Sequence, residues 1–349
     1  MDRQYTRRLE KIESVLERWL PENPTNAWAA DVFTGRADTV NPLLLQALAA
    51  PGRDLLSRGG KRWRPLLMAL ICEALGGGDA ALPLAPLVEF CHNASLIHDD
   101  IEDNSNERRG KPSVHLIHGV DAAINSGSFL YFLPLACIDS LKHDCRAAVY
   151  ALWAGYMRKL HLGQAMDIHW HRNFDLIPSP NEYFTMCALK TGCLARFAAE
   201  LGAVIAGFNN SGPTPIPECL GETAEKLGVG FQILDDVKNV TTGIPGKKRG
   251  DDVVEGKKSL PVLLLLHRQP EKRDTIFRCF NAARVGGTGV PEVEELIQTL
   301  LDSGVLAEAE KQGKALIAEA RKTFADPRRS PALSAEGRSL LAGLADSFT

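Results

Sequence analysis

Ser95-Leu96-Ile97-His98-Asp99-Asp100-Ile101-Glu102-Asp103-Asn104 is an apolar helical run that ends in acid. Phe231-Gln232-Ile233-Leu234-Asp235-Asp236-Val237-Lys238-Asn239 repeats the arrangement much later in the chain. Both have the form Asp-Asp-x-x-(Asp/Asn). The first and last members of each are four residues apart and share one helix face. Acids at a helix C-terminus oppose the helix dipole, and like charges one turn apart repel. A solvated surface has no use for that arrangement. Two such stripes facing each other would gather hard divalent cations, which prefer carboxylate oxygen. Mg²⁺ keeps coordination positions for phosphate oxygens, so the implied ligand is a polyphosphate.

Outward from these stretches, helical periodicity dominates and no convincing alternating strand is found. Leu9, Ile12, Val15, Leu16 and Trp19 form one stripe, which Pro21 and Pro24 stop. Further helices are predicted over 66–75, 83–104, 121–140, 146–170, 181–207 and 217–240, with Pro134 a candidate kink. A glycine-rich basic loop covers 243–258. The remaining third reads as helical, with loops at Gly286-Gly287 and Asp326-Pro327. No composition shift marks a linker. The expected fold is all-α: a single domain over 1–349, a helical bundle with a central active-site cavity, its core motifs between 59 and 261.

Composition excludes several classes. Hydrophobic residues are 45% and charged residues 24% of the 349, and the net charge is −3. That is a globular balance without the basic stripe that nucleic acid requires. The eight cysteines form no Cys-x-x-Cys pair, so neither a zinc site nor a disulfide framework is indicated. Free thiols and an N-terminus without an apolar signal core point to the cytoplasm. The longest apolar run, Leu260 to Leu266, is too short to span a bilayer, so no integral membrane segment is expected.

Basic residues complete the pattern. Gly59-Gly60-Lys61-Arg62-Trp63-Arg64-Pro65 places Lys61 and Arg64 at a helix start. Arg108-Arg109 follows the first acidic motif. Lys190-Thr191-Gly192 lies inside a helix, where glycine costs about 1 kcal/mol relative to alanine. Gly246-Lys247-Lys248-Arg249 and Gly256-Lys257-Lys258 flank the last loop. Together these supply cation for two diphosphates, one on metal and one on arginine and lysine alone.

In this order the strings Gly-Gly-Lys-Arg-x-Arg-Pro, Ser-Leu-Ile-His-Asp-Asp-x-x-Asp-Asn-x-x-x-Arg-Arg-Gly, Lys-Thr-Gly and Phe-Gln-x-x-Asp-Asp resemble the trans-prenyltransferases, or polyprenyl diphosphate synthases. The resemblance runs from about Gly59 to Pro261. It implies condensation of isopentenyl diphosphate with an allylic diphosphate, Mg²⁺ as cofactor with three ions per site, and a homodimer packed through residues 121–140. It implies that Asp99, Asp103 and Asp235 hold Mg²⁺ against the allylic diphosphate, with Asp100, Asp236 and Asn239 in support through water. Arg108, Lys190 and Lys247 would clamp that diphosphate, with Lys257 close by. Lys61, Arg64, His92 and Arg109 would hold isopentenyl diphosphate. Gln164, Thr191 and Gln232 would line the reaction centre.

Cys91, Ala94, Ser95 and Asp99 share a helix face, and one turn is about 5.4 Å, similar to one isoprene unit. Small residues at 94 and 95 let a chain grow past farnesyl length. Tyr131 and Phe132 are the next expected obstruction, which makes geranylgeranyl diphosphate the expected product and a longer chain the alternative. Two departures from the resemblance stand out. Asn239 replaces the aspartate of many relatives and weakens metal support. Ala345 to Thr349 carries no base, so closure of the site by the C-terminus is not expected.

Plainer readings compete for single residues. His92 and Gln164 could each be simple helix packing, Cys91 a small apolar residue, and Phe129, Tyr131 and Phe132 core aromatics. Lys248, Arg249 and Lys258 read as a solvated charge run. For the whole chain, a terpene cyclase would not need Lys61, Arg64 and Arg109. A non-catalytic subunit of a heteromeric synthase would ordinarily lack one acidic motif.

Overall fold

A computed structural model describes residues 3–33, 39–141, 143–210, 215–243 and 248–349. It is almost wholly helical, as the periodicity predicts. The described residues group into two units. One is Met1–Gly155, Phe197–Gly221 and Asp326–Leu341; the other is Tyr156–Arg196, Glu222–Ala325 and Ala342–Thr349.

The first unit holds α1 (Arg3–Trp19), α2 (Asn26–Val32), α3 (Pro42–Ser57), α4 (Trp63–Ala74), α5 (Ala85–Glu102), α6 (Val114–His118), α7 (Val120–Phe132) and the start of α8 (His143–Arg172). The α1 stripe is confirmed by Ile12 and Leu16, both without exposed surface. Helix α4 is the core: Leu66, Leu67, Met68, Leu70 and Ile71 are each 1% exposed or less. Burying each such side chain contributes about 1.5–3 kcal/mol. The helix expected over 83–104 begins later, because a 3₁₀ segment over Gly78–Leu84 precedes α5. The helix expected over 121–140 is broken: α7 stops at Phe132 and a 3₁₀ segment runs over Leu133–Ser140, with Pro134 in its first turn.

Two helical stretches, Gly78–Glu102 and Val120–Asp139, are long and apolar enough to cross a bilayer by length and composition. A search for uninterrupted apolar runs misses them. Buried shares of 72% and 50% make the first a core helix and leave the second half covered.

The second unit holds the rest of α8, then α9 (Pro180–Cys187) and a π-helical turn over Ala188–Gly192. Helix α10 (Cys193–Ile205) continues from that turn, with only its residues up to Arg196 in this unit and the rest in the first. Then come most of α11 (Ile216–Val240), α12 (Asp251–Glu255), α13 (Leu260–Arg268), α14 (Arg273–Gly286), α15 (Pro291–Asp302) and α16 (Val305–Ala325). Helix α17 (Ala335–Asp346) ends the chain. Ser179 and Glu182 form a capping box that starts α9. The apolar run of α13, Leu260 to Leu266, is wholly buried among α11, α14 and α15 residues such as Ile233, Phe280 and Leu296. The loop expected over 243–258 contains the short α12.

Candidate active site

In the first unit, α5 carries the first acidic motif to its end. The Ser105 amide donates to the Asp100 carbonyl at 2.8 Å and the Asn104 amide to the Ile101 carbonyl at 3.3 Å. Asn104 has φ +53. This is a Schellman stop with asparagine in the left-handed position. The motif therefore straddles the helix end, where nearby backbone offers no positive dipole.

Arg108 supplies the missing charge. Its Nε donates to Asp100 Oδ1 at 2.8 Å, its NH2 also meets Asp100, and Asp99 Oδ2 lies 3.5 Å away. Asp100 is fully buried by this contact. Arg108 comes from a small hairpin that the sequence reading missed, β1 (Glu107–Arg108) against β2 (Lys111–Pro112). Its turn is Arg109-Gly110, with φ +54 and +74, the pair of positive values that a type I′ turn requires.

Around that hairpin the arginines converge. Arg62, at φ +46, is 4% exposed and donates to Glu13 at 2.8 Å, Glu89 at 2.9 Å and the Leu56 carbonyl at 2.6 Å. Arg64 is buried, lies 4.5 Å over the Trp63 ring and meets His92 Nε2 at 3.4 Å. Arg109 NH1 donates to the carbonyls of Leu55 and Gly59 and reaches Asn93 Oδ1 at 3.4 Å. All three of these acceptors are neutral. Burial pushes the Arg109 guanidinium down to about 10, with Arg62, Arg108 and Arg58 acting the same way and Glu89 against. Burial, with Arg64, Arg109, Arg62 and Arg108 acting the same way, pushes His92 well below its ordinary value, so it is a neutral acceptor for Arg64. Lys61, between Gly60 and Arg62, is exposed.

Two residues here escaped the sequence reading. Arg58, its side chain fully buried, donates to the Arg108 carbonyl at 3.0 Å and pairs with Asp54 at 2.7 Å. Burial would raise the Asp54 carboxyl, yet Arg58 and His118 hold it below its ordinary value. Trp153 lies against the Cys91 thiol, which burial pushes up to about 12.

The chain-length candidates separate in space. Cys91 and Ala94 are fully buried and Ser95 is partly exposed. The Tyr131 ring stacks on His98, centroids 5.7 Å apart, level with the acidic motif. Phe132 keeps 60% of its surface exposed and its ring lies 5.9 Å from Trp153.

In the second unit, the Lys-Thr-Gly string forms the π-helical turn between α9 and α10, a feature often found at functional positions. Gly163 on α8 makes room for it. A Cβ there would lie 2.4 Å from the Lys190 amide nitrogen and 2.7 Å from the Leu189 carbonyl carbon. Lys190 Nζ pairs with Asp167 Oδ2 at 2.5 Å. The Thr191 hydroxyl donates to Gln232 Oε1 at 3.0 Å, and Gln232 Nε2 donates to Asp236 Oδ1 at 2.8 Å. The buried Tyr183 hydroxyl donates to the other Asp236 oxygen at 2.6 Å. Burial raises the Asp236 carboxyl, while Tyr183 and Gln232 pull it down. Asp167 and Tyr183 carry no motif of their own. Gln164, one turn before Asp167 on α8, is partly exposed.

Asp235 is partly exposed, one turn before Asn239, which is 1% exposed. Asn239 Oδ1 accepts from the Asp252 amide at 3.2 Å and its carbonyl from the Gly250 amide at 3.0 Å, so Asn239 anchors the start of α12. Lys257 pairs with Glu255 at 2.5 Å. Lys247 lies outside the described residues.

Lys258 corrects an expectation. It is not part of a solvated run but 3% exposed, its ammonium bonded to backbone carbonyls at the end of α8. Arg249 is exposed, as expected, and pairs with Glu294 at 2.6 Å. Phe348 packs edge-on against Phe231, centroids 5.3 Å apart.

Among the described residues no three His, Cys, Asp or Glu side chains are gathered as a metal cage. Arg108 engages Asp100 and, at 3.5 Å, Asp99, while Tyr183 and Gln232 engage Asp236. Asp99 and Asp103 in one unit and Asp235 in the other have the hard oxygen donors that suit Mg²⁺.

Residues 45–299 match the polyprenyl synthetase family. The chain is 32% identical over 309 residues to a geranylfarnesyl diphosphate synthase of Aeropyrum pernix, covering 86% of this chain and 92% of that protein. It is 35% identical to a geranylgeranyl pyrophosphate synthase of Neocamarosporium betae, covering 72% and 73% of the two. A geranylgeranyl pyrophosphate synthetase structure from Pyrococcus horikoshii superposes with a TM-score of 0.80 at 26% identity, over 99% of this chain and 96% of that one. A polyprenyl synthase of Caulobacter crescentus, solved with calcium and isoprenyl diphosphate, gives 0.76 at 25%, over 97% and 94%.

An all-α chain with paired acidic motifs and an arginine cluster is thus an isoprenoid-synthase-type protein, and it belongs to the polyprenyl synthetase family. It is an enzyme of the trans-prenyltransferase class.

Proposed function

We propose that this protein joins isopentenyl diphosphate head-to-tail to an allylic diphosphate and that its main product is geranylgeranyl diphosphate. The observation that carries this reading is the division of labour in the first unit. Asp99 and Asp103 form an acidic face fit for metal, while Arg64 and Arg109 form a buried cationic site that needs none. A cyclase has one diphosphate to hold; this arrangement suits two.

Asp99, Asp103 and Asp235 would hold Mg²⁺, three ions per site, with Asp100, Asp236 and Asn239 behind them. The bound metal supplies charge stabilisation to the diphosphate leaving group. Arg108, Lys190, Lys247 and Lys257 bind that group's remaining oxygens. Lys61, Arg64, His92 and Arg109 hold the second diphosphate, so both reactants are oriented before bond making.

The allylic C–O bond breaks and its electron pair leaves with the diphosphate. The Thr191 hydroxyl and the Gln164 and Gln232 amides face the positive charge left on the allylic carbons. The double bond of isopentenyl diphosphate attacks that carbon, and the departing diphosphate takes the proton then lost. The free state of all eight cysteines fits the reducing cytoplasm.

Product length rests on the first unit. Cys91 and Ala94 are small and put no bulk on the α5 face along which the chain would grow. Trp153, beside Cys91 two turns before Asp99, with Phe132 against it, would end it; Tyr131, beside His98, sits too near the motif to do so. The exposed Leu116, Ile117, Val120 and Ile124 on α6 and α7 are the apolar face through which we infer a homodimer.

The purified protein, given Mg²⁺, labelled isopentenyl diphosphate and separate dimethylallyl, geranyl and farnesyl starters, should yield geranylgeraniol after dephosphorylation. Farnesol alone, or a geranylfarnesyl product, would overturn the length. No incorporation by the protein alone would favour a non-catalytic subunit.

A further inference from the structure

The end of α8 is tied down by side chains that the chemistry above leaves unused. Lys258 donates to the carbonyls of Trp170 and Asn173, the latter at 2.6 Å. Arg284 on α14 donates to the His171 carbonyl at 3.0 Å and the Glu255 carbonyl at 3.3 Å. Carbonyls at a helix C-terminus lack intrahelical donors and favour cations. Here the carbonyls of Trp170, His171 and Asn173 are served by the buried Lys258 and the exposed Arg284, both from other segments.

The turn is shaped for this. Gly256 has φ +73, and a Cβ there would lie 2.9 Å from Arg284 NH2 and 3.2 Å from Phe174 Cε1. The Arg284 guanidinium also covers the Phe174 ring at 4.7 Å.

An ammonium in this position is costly to bury. Burial pushes Lys258 down to about 8; Asp175 opposes that shift, and Arg273 and Arg284 add to it. An apolar side chain would fill the space without that cost, so the donors themselves matter.

What they connect is informative. Lys257 is the next residue, its ammonium on Glu255 and its amide donating to the Asp252 carbonyl at 2.9 Å. Asp167, one turn before His171 on α8, holds Lys190. Burial pushes His171 below its ordinary value; Asp167 opposes that, and Lys257 and Lys190 add to it. The axial position of α8 places Lys190, and the turn places Lys257. Lys258 and Arg284 join that turn to that helix.

We propose that Lys258, together with Arg284, is a positioning residue that sets the spacing of Lys257 and Lys190 for a single diphosphate. This rests on the reading of Lys257 and Lys190 as ligands of the allylic diphosphate.

The test compares steady-state kinetics and thermal unfolding of Lys258→Met, Lys258→Arg, Arg284→Gln and Lys257→Ala. Lys258→Met keeps the stem and removes the donors. It should raise KM for the allylic starter about tenfold and leave KM for isopentenyl diphosphate within about twofold. Lys258→Arg should recover part of that loss. A lowered Tm with both KM values unchanged would show a purely structural lysine and overturn the proposal. If Lys258→Met does not fold, Arg284→Gln cuts the same tie from α14 and must show the same selective rise; unchanged KM there overturns it equally. Lys257→Ala separates the two claims. If it raises the starter KM and the Lys258 variant does not, only the positioning role fails. If Lys257→Ala leaves that KM unchanged, the ligand reading itself fails.

Discussion

Arg62, Asn104 and Arg109 are the non-glycine residues with positive φ among the described residues, and all three lie in or beside the site strings. Each such backbone state costs of order 1–3 kcal/mol. Hydrogen bonds offset the cost: four acceptors around Arg62, the Schellman pair at Asn104, and three neutral acceptors at Arg109. The result is a buried arginine cluster held by the protein's own acceptors, with Arg64 aimed at neutral His92. Arg64→Ala should raise KM for isopentenyl diphosphate by roughly 10- to 100-fold, the loss of a charge-assisted contact of about 1.5–3 kcal/mol, and move the starter KM far less. An equal rise in both would show that the two diphosphate assignments are wrong. The depressed His92 has a stability consequence. Below its ordinary value of 6.5 the unfolded chain takes up a proton that the folded site refuses, so stability is lost as pH falls through that region. Unfolding followed between about pH 7.5 and 5 should show a shallower acid decline in His92→Gln than in the native protein. Parallel curves would show that His92 protonates freely when folded.

At the scale of elements, what was legible depended on how local the cause is. Helix α1 and the Asp-Asp-x-x-Asp ends follow from periodicity and spacing. Asn104 as a helix stop and Pro134 as a break are local signals too. The π-helical turn at Ala188–Gly192 left only a costly glycine as a trace, because it depends on Gly163 of another helix. Lys258 was misread because composition cannot tell which of two adjacent lysines turns inward; left-handed Gly256 decides that. Arg58, Asp167, Tyr183 and Trp153 left no motif, since each acts on a partner far away in sequence. The α5 face gives the element-scale prediction. Ala94→Phe should shorten the product to farnesyl length, and Trp153→Ala should lengthen it past the native product. Chromatography of dephosphorylated products reads both. No change in either variant would place the growing chain elsewhere.

For the whole molecule, the two acidic motifs, one at the end of α5 and one in α11, are the central feature, and the proposed metal role of their carboxylates is its central claim. Catalysis should therefore need a divalent cation and both motifs together. The direct measurement is incorporation of labelled isopentenyl diphosphate by the native protein, Asp99→Ala and Asp235→Ala, each in Mg²⁺ and in excess chelator, with circular dichroism to confirm folding. Chelator should abolish incorporation by the native protein. Each variant should remain folded and lose at least about 10³-fold in turnover, roughly 4 kcal/mol of transition-state stabilisation. Full incorporation in chelator, or an Asp235→Ala enzyme as active as the native one, would contradict it.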